Sequence, residues 1–333
     1  MAERIFEIGT RKYKYRRKYQ KKMCRTAVVF PGQGAQYVGM AKGFYECFPQ
    51  CREVFEEASE AAGFSMEEIC FEENEKIHET KYTQPALLTA SCAILKAVEA
   101  SGIRADFVAG LSLGEYCALT AAGALPLKDA VQIVCHRGVY MEKEVPAGEG
   151  AMAAVIGKKP VPIEEICEKT EGVVGVANYN CPGQKVISGE AGAVEEAGKA
   201  MLAAGASRVV PLQVSGPFHS PLLAGAGKKL RKLLESYEIR TPRVDFVSNV
   251  TAGPVKDAEE LKELLGRQVC SPVRWQQSME YMIQNGVDTF IEIGPGHTLG
   301  NFAKKIDRSL QIYNVETVED LENLKRELGG TEC

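Results

Sequence analysis

The stretch DFVAGLSLGEYCALTAAG, residues 106–123, carries an apolar run directly into a Gly-x-Ser-x-Gly turn and out into a helical pattern, with no polar spacer between them. Few architectures accommodate that join. A strand apolar on both faces belongs inside a parallel sheet covered by helices, and strand-to-helix succession is the unit from which such sheets are wound. Gly110 and Gly114 permit a strained, tight turn that lifts the Ser112 hydroxyl above the sheet edge. The following helix points its N-terminal amides at the place where a tetrahedral oxyanion would form, and the Leu113 amide is the natural donor. Ser112 therefore reads as a nucleophile; the structural alternative is a helix N-cap serine between two glycines.

The alternation continues along the chain. RTAVVF reads as a strand, followed by the loop PGQGAQ and amphipathic helical stretches through residue 101, broken near Gly63 and by KYTQP. Beyond the serine turn come the strand VDFVSNV, helical material to about residue 285, and the strand DTFIEIG, which ends in GPGHT. Residues 151–213 differ: AMAAVIG, VPIEEICEKT, GVVGVANY, QKVISG, AGAVEEAGKAMLAAG and SRVVPLQ spell β-α-β-β-α-β, the ferredoxin-like order. The expected fold is α/β, with a discontinuous large domain (25–150 and 214–333), a small inserted domain (151–213), and a ligand cleft where the two meet.

With 333 residues and 45% hydrophobic content the chain can bury a large core. Its longest apolar runs, such as VVGVANY, fall far short of a membrane span, and no apolar signal-peptide core follows the N-terminus. The reading is a cytoplasmic protein without a membrane partner. Eleven cysteines without paired C-x-x-C spacing suggest reduced core thiols, with no disulfide framework and no metal. Residues 1–22 hold nine basic residues against Glu3 and Glu7, so +7 there leaves −11 of the formal −4 on the rest. RKYKYRRKYQKK interleaves Tyr with Lys and Arg, a pattern able to hold a polyanion. The expectation is nonetheless a basic extension over residues 1–24 with no nucleic-acid partner, either a disordered tail or an upstream reading-frame extension of a chain that starts at Met23.

A serine at its ordinary pKa needs a base, normally histidine. Of four histidines, His78 lies in the acidic EENEKIHET and reads as a solvated loop, His136 sits in a helical stretch beside Arg137, and His297 follows GPG, where it could cap a helix. His219, in VSGPFHSPLL, follows a Gly-Pro turn after the small domain closes, which returns it to the cleft edge. On spacing alone it is either the base or a loop residue.

FPGQGAQ, GLSLGEYCAL, HRGVYM, ANYNCPGQ, VSGPFHSPLL, SPVRW and IEIGPG occur in the order seen in malonyl-CoA:acyl carrier protein transacylases, which this chain resembles over nearly all its length after Met23. The resemblance implies an α/β-hydrolase-like large domain with a ferredoxin-like insertion. It implies ping-pong transfer of malonyl from coenzyme A to Ser112, and then to the phosphopantetheine thiol of a holo acyl carrier protein, supplying fatty acid synthesis. No bound cofactor is implied, and the enzyme would be a monomer. Position by position, Ser112 resembles the family nucleophile and His219 its general base. Gln33 and Leu113 match the oxyanion amides, and Gln268 the residue whose main-chain carbonyl orients the histidine. Arg137 matches the arginine that grips the malonyl carboxylate, Asn180 lies in a segment lining the cleft, and Phe218 resembles a bulky residue that crowds an α-methyl branch, a preference worth about 1 to 3 kcal/mol. Taken alone, Arg137 reads as a surface ion pair, Asn180 as a turn residue and Gln268 as a polar loop residue. Leu111 departs from the histidine common before the nucleophile. A polyketide acyltransferase, a serine thioesterase or hydrolase, and a non-catalytic carrier-binding module remain as alternatives.

Overall fold

The computed structural model describes residues 6–8, 11–13 and 25–329. The basic extension expected over residues 1–24, including a start at Met23, falls outside the described residues except for two short strands, β1 (Phe6–Ile8) and β2 (Arg11–Tyr13), which pair antiparallel.

Ten further strands form two sheets. They are β3 (Arg25–Phe30), β4 (Phe107–Gly110), β5 (Gly150–Ile156), β6 (Val174–Cys181), β7 (Gln184–Glu190), β8 (Arg208–Pro211), β9 (Asp245–Val247), β10 (Pro254–Val255), β11 (Val287–Ile293) and β12 (Gln311–Val315). The larger sheet has the order β10-β9-β4-β3-β11-β12 and is parallel except for the β10 edge. Its central strands show why it is parallel. Val28 and Phe30 of β3 face one core cluster with Val108 and Ile291, while Ala27 and Val29 face another with Phe107, Ala109 and Phe290. Successive side chains point to opposite faces, so both faces must be covered, and each large apolar side chain so buried contributes about 1.5 to 3 kcal/mol.

The second sheet, β6-β7-β5-β8, is wholly antiparallel and carries the helices Ile163–Lys169 and Ala191–Ala203. It is tied to the rest of the chain by a parallel bridge between Asn178 and Val273. There Tyr179 N donates to Val273 O (2.9 Å) and Val273 N to Ala177 O (2.7 Å).

Two expectations are corrected. KYTQP does not break the helical region, because a single helix runs from Thr80 to Ala100 through Pro85. Pro85 stands inside that helix, where proline removes one donor and crowds the carbonyl four residues back, and the near-complete burial of Ala86, Leu87, Leu88 and Ala90 offsets that loss. The interruption lies upstream, at the 3-10 turn Lys76–His78, so His78, read as a loop residue, belongs to that turn. The antiparallel β10 edge and the segment after GPGHT, comprising helix Thr298–Ile306, β12 and helix Val318–Gly329, complete the larger sheet and its helices beyond the elements read from the sequence. Of the described cysteines six are buried and all are free, with Cys47 exposed. Among the described residues no helix is long and apolar enough to cross a membrane.

Candidate active site

The chain reverses direction across the larger sheet beside β3, where strands added later lie on both sides of it. Ligands in open α/β sheets bind outside the carboxyl ends of strands at such a point. A cleft of about 650 Å³ opens there, lined by the loops after β3 (Gln33), β4 (Leu111, Ser112, Leu113) and β11 (Thr298), and on its far wall by Asn178 and Asn180 of β6.

Ser112 sits between β4 and the helix Gly114–Ala121 with φ of 54°, in the left-handed region that L-residues avoid. The two glycines of the turn are there for space. A Cβ on Gly110 would stand 1.9 Å from the Gly114 carbonyl carbon, and one on Gly114 would stand 2.3 Å from Phe30 O. Asn249, just past β9, clamps the turn: Ser112 N donates to its Oδ1 (2.7 Å) and its Nδ2 donates to Gly110 O (2.7 Å).

Ser112 Oγ lies 2.8 Å from His219 Nε2. His219 also has a positive φ, 59°, and its amide donates to Val269 O. Its Nδ1 lies 2.8 Å from Gln268 O. A carbonyl can only accept, so Nδ1 carries the proton and Nε2 is free to take one from Ser112. Burial, with the Arg137 charge added, lowers the His219 pKa to about 4.

Arg137, on the helix Leu127–Glu144, is 1% exposed, which rules out a surface ion pair. Its Nη1 donates to Gln84 Oε1 (2.8 Å), and its Nη2 donates to both Ser112 Oγ (3.1 Å) and Gln268 Oε1 (2.9 Å). Its guanidinium lies 5.7 Å from the Tyr116 ring centre. Burial lowers its pKa, against the pull of Tyr116 and Glu115. Gln268, at the end of the helix Ala258–Gln268, is fully buried, where a polar loop residue was the structural alternative.

Among the described residues neither the Leu113 amide nor the Gln33 amide has a hydrogen-bond partner. The Gln33 side chain donates to Thr80 Oγ1 (3.1 Å), which is 2.7 Å from Ser215 Oγ. Asn180 is buried, its Oδ1 without a partner among the described residues, and Phe218 lines the cleft with Met141 and Met152. Leu111 lines it too, and its neighbours gain no hydrogen-bonding side chain from it. Seven of the eight residues singled out from the sequence thus line one cleft, and the eighth, Gln268, is buried behind it and hydrogen-bonded to Arg137. The other histidines do not meet Ser112. His136 is exposed and stacks on Tyr140, and His297 precedes the helix Thr298–Ile306 and pairs with Glu316 at 3.3 Å, while the exposed His78 reaches the cleft mouth. Sequence reading missed Gln84, Glu115 and Asn249. The one available signal was Glu115, a carboxylate inside the otherwise apolar LGEYCAL. Among the described residues no group of three His, Cys, Asp or Glu stands close enough to hold a metal ion.

A parallel sheet with a serine–histidine pair at its carboxyl ends is an arrangement suited to acyl transfer, and the chain belongs to the acyl transferase domain family, whose model matches residues 27–332. It is an acyltransferase enzyme. The malonyl CoA-acyl carrier protein transacylase of Bacillus subtilis (strain 168) is 46% identical to it over 304 residues, covering 90% of this chain and 96% of that one. Among solved structures, the malonyl CoA-acyl carrier protein transacylase of Clostridium perfringens superposes with a TM-score of 0.89 at 42% identity, covering 92% of this chain and 98% of that one. A malonyl-transacylase solved in complex with its type II PKS acyl-carrier protein also gives 0.89, at 38% identity, covering 91% and 99%. The resemblance carried by the seven motifs holds at the level of the family.

Proposed function

We propose that this acyltransferase moves a malonyl group from malonyl-CoA to the phosphopantetheine thiol of a holo acyl carrier protein, through a malonyl ester on Ser112, and so supplies fatty acid synthesis. The observation that supports this most is one oxygen, Ser112 Oγ, held 2.8 Å from His219 Nε2 and 3.1 Å from Arg137 Nη2. In the first half-reaction Ser112 gives its proton to His219 as Oγ attacks the thioester carbonyl. The Leu113 and Gln33 amides receive the oxyanion, and the imidazolium protonates the coenzyme A thiolate as the C–S bond breaks. In the second, the carrier thiol gives its proton to His219, its sulfur attacks the ester, and Ser112 leaves with that proton. Arg137 meets the malonyl carboxylate, Asn180 walls the cleft, and Phe218 crowds an α-methyl branch. The Gln268 carbonyl holds His219 where a triad would place a carboxylate. These steps call on no resident cofactor.

The two sheets support a division into an α/β-hydrolase-like domain (25–150 and 214–333) and an inserted ferredoxin-like domain (151–213), since β6-β7-β5-β8 is the order that β-α-β-β-α-β winding gives. The enzyme is read as a cytoplasmic monomer that meets its carrier transiently.

Intact mass after brief mixing with malonyl-CoA tests the reading. A malonyl adduct on Ser112 that vanishes on addition of holo carrier protein is expected, whereas loss to water at one rate with or without carrier would make the enzyme a hydrolase. Because one similar structure holds a type II PKS carrier, a polyketide role is the second reading. Comparing kcat/KM for carriers of the two kinds decides between them.

A further inference from the structure

Glu115 lies in the first turn of the helix that follows Ser112, and it is 1% exposed. A buried carboxylate is costly unless donors surround it. Two do. Asn249 N donates to Oε1 (2.5 Å) and Gln268 Nε2 to Oε2 (2.5 Å). Each partner then reaches the reacting pair. The Asn249 side chain clamps Ser112 N and Gly110 O, and the Gln268 carbonyl holds His219 Nδ1. Gln268 Nε2 also donates to Ser112 O (2.8 Å), while its Oε1 accepts from Arg137. Only one orientation of that amide meets all three neighbours, with the acceptor end toward the buried cation and the donor end toward the buried anion.

We propose that Glu115 is a positioning residue for the transfer reaction: its carboxylate, acting through Asn249 and Gln268, fixes the serine turn and the carbonyl that orients His219. Both contacts come from donors, so an acceptor-only group is required. A carboxamide at 115 would face at least one N–H with another, leaving either the serine turn or the Gln268 amide unanchored. Catalytic geometry is sensitive to such shifts, a displacement of about 1 Å costing on the order of 100-fold.

The proposal rests on Ser112 being the nucleophile, and the tests separate the two. In Glu115→Gln, single-turnover acylation by malonyl-CoA and labelling by phenylmethanesulfonyl fluoride, a small neutral serine reagent, should both fall by on the order of 10- to 100-fold, with KM for malonyl-CoA little changed. Asn249→Ala should show a similar kcat loss, and the two losses should combine to less than their product, because they act on one turn. Glu115→Gln with Gln268→Glu restores a donor–acceptor match between positions 115 and 268, and should recover part of the acylation rate. If Glu115→Gln loses melting temperature but keeps full acylation per folded molecule, or if the paired exchange is no faster than the single variant, the proposal fails. If the single variant does not fold, the Asn249 variant and the paired exchange decide on the same criteria. Failure of the wild type to label at Ser112 would instead overturn the underlying reading.

Discussion

His219 stays neutral far below the ordinary histidine range because it is buried and faces the Arg137 charge, and its pKa falls to about 4. Acylation of Ser112 by malonyl-CoA in the wild type should decline near pH 7, where the buried Glu115 takes up a proton, whereas in Glu115→Gln it should hold level from about pH 8 to about 5 and decline only toward 4, where the base becomes protonated. A limb centred near 6.5 that persists in Glu115→Gln would show an imidazole ionising as in water. Stability follows the same sign. The unfolded chain binds this proton from its ordinary value downward and the folded chain only near 4, so the His219 contribution is present above 6.5 and is lost as the pH falls through that window. His219→Ala should slow both half-reactions by about 10²- to 10⁴-fold; near wild-type transfer would remove it as the base. Arg137→Ala should cost malonyl transfer on the order of 2 to 5 kcal/mol, because the substrate carboxylate would enter the cleft unpaired. Since Arg137 Nη2 also donates to Ser112 Oγ at 3.1 Å, acetyl transfer should fall too, by the smaller worth of one charged hydrogen bond, about 1.5 to 3 kcal/mol. Equal losses in kcat/KM for malonyl-CoA and acetyl-CoA would exclude a carboxylate role for Arg137.

Within the strand–turn–helix element, two glycines allow the backbone to close on itself. Gly114 packs against the last residue of β3, and a methyl there would lie 2.3 Å from Phe30 O and 2.9 Å from Pro31 O, both backbone atoms that cannot rotate away. Gly114→Ala must therefore push the helix from the sheet. A loss of about 1 to 3 kcal/mol in unfolding free energy is expected, together with a loss of Ser112 acylation larger than the stability change explains. Chemical denaturation and phenylmethanesulfonyl fluoride labelling measure the two; an alanine variant with unchanged labelling would show that the turn tolerates displacement.

At the scale of the whole molecule the cleft has walls from both sheets, so its shape depends on how they are joined. The join includes the Val273–Ala177 and Tyr179–Val273 hydrogen bonds at the β6 edge and the Gln33–Thr80–Ser215 chain. Val273→Pro deletes the N–H that reaches Ala177 O. It should raise KM for malonyl-CoA more than it lowers kcat, because Asn178 and Asn180 shift while Ser112 and Arg137 stay with the larger sheet and its helices and His219 stays held by Gln268 O and Val269 O. A kcat loss with KM unchanged would place the coupling at the reacting pair.

The sequence by itself determined the local units: strands whose apolar residues alternate between two cores, the serine turn that only glycines at 110 and 114 permit, and the second unit's β-α-β-β-α-β order. These depend on neighbours in the chain, and periodicity records them. Ordered motifs also reached the family and seven residues that line the cleft. What lay between distant segments was decided by the tertiary structure alone. Pro85 could continue a helix because that helix is buried on nearly every side. Arg137 could lose its expected carboxylate partner because Gln84 and Gln268 arrive from other helices. Glu115 and Asn249, separated by 134 residues, became one unit because a buried carboxylate must find its donors wherever the fold brings them.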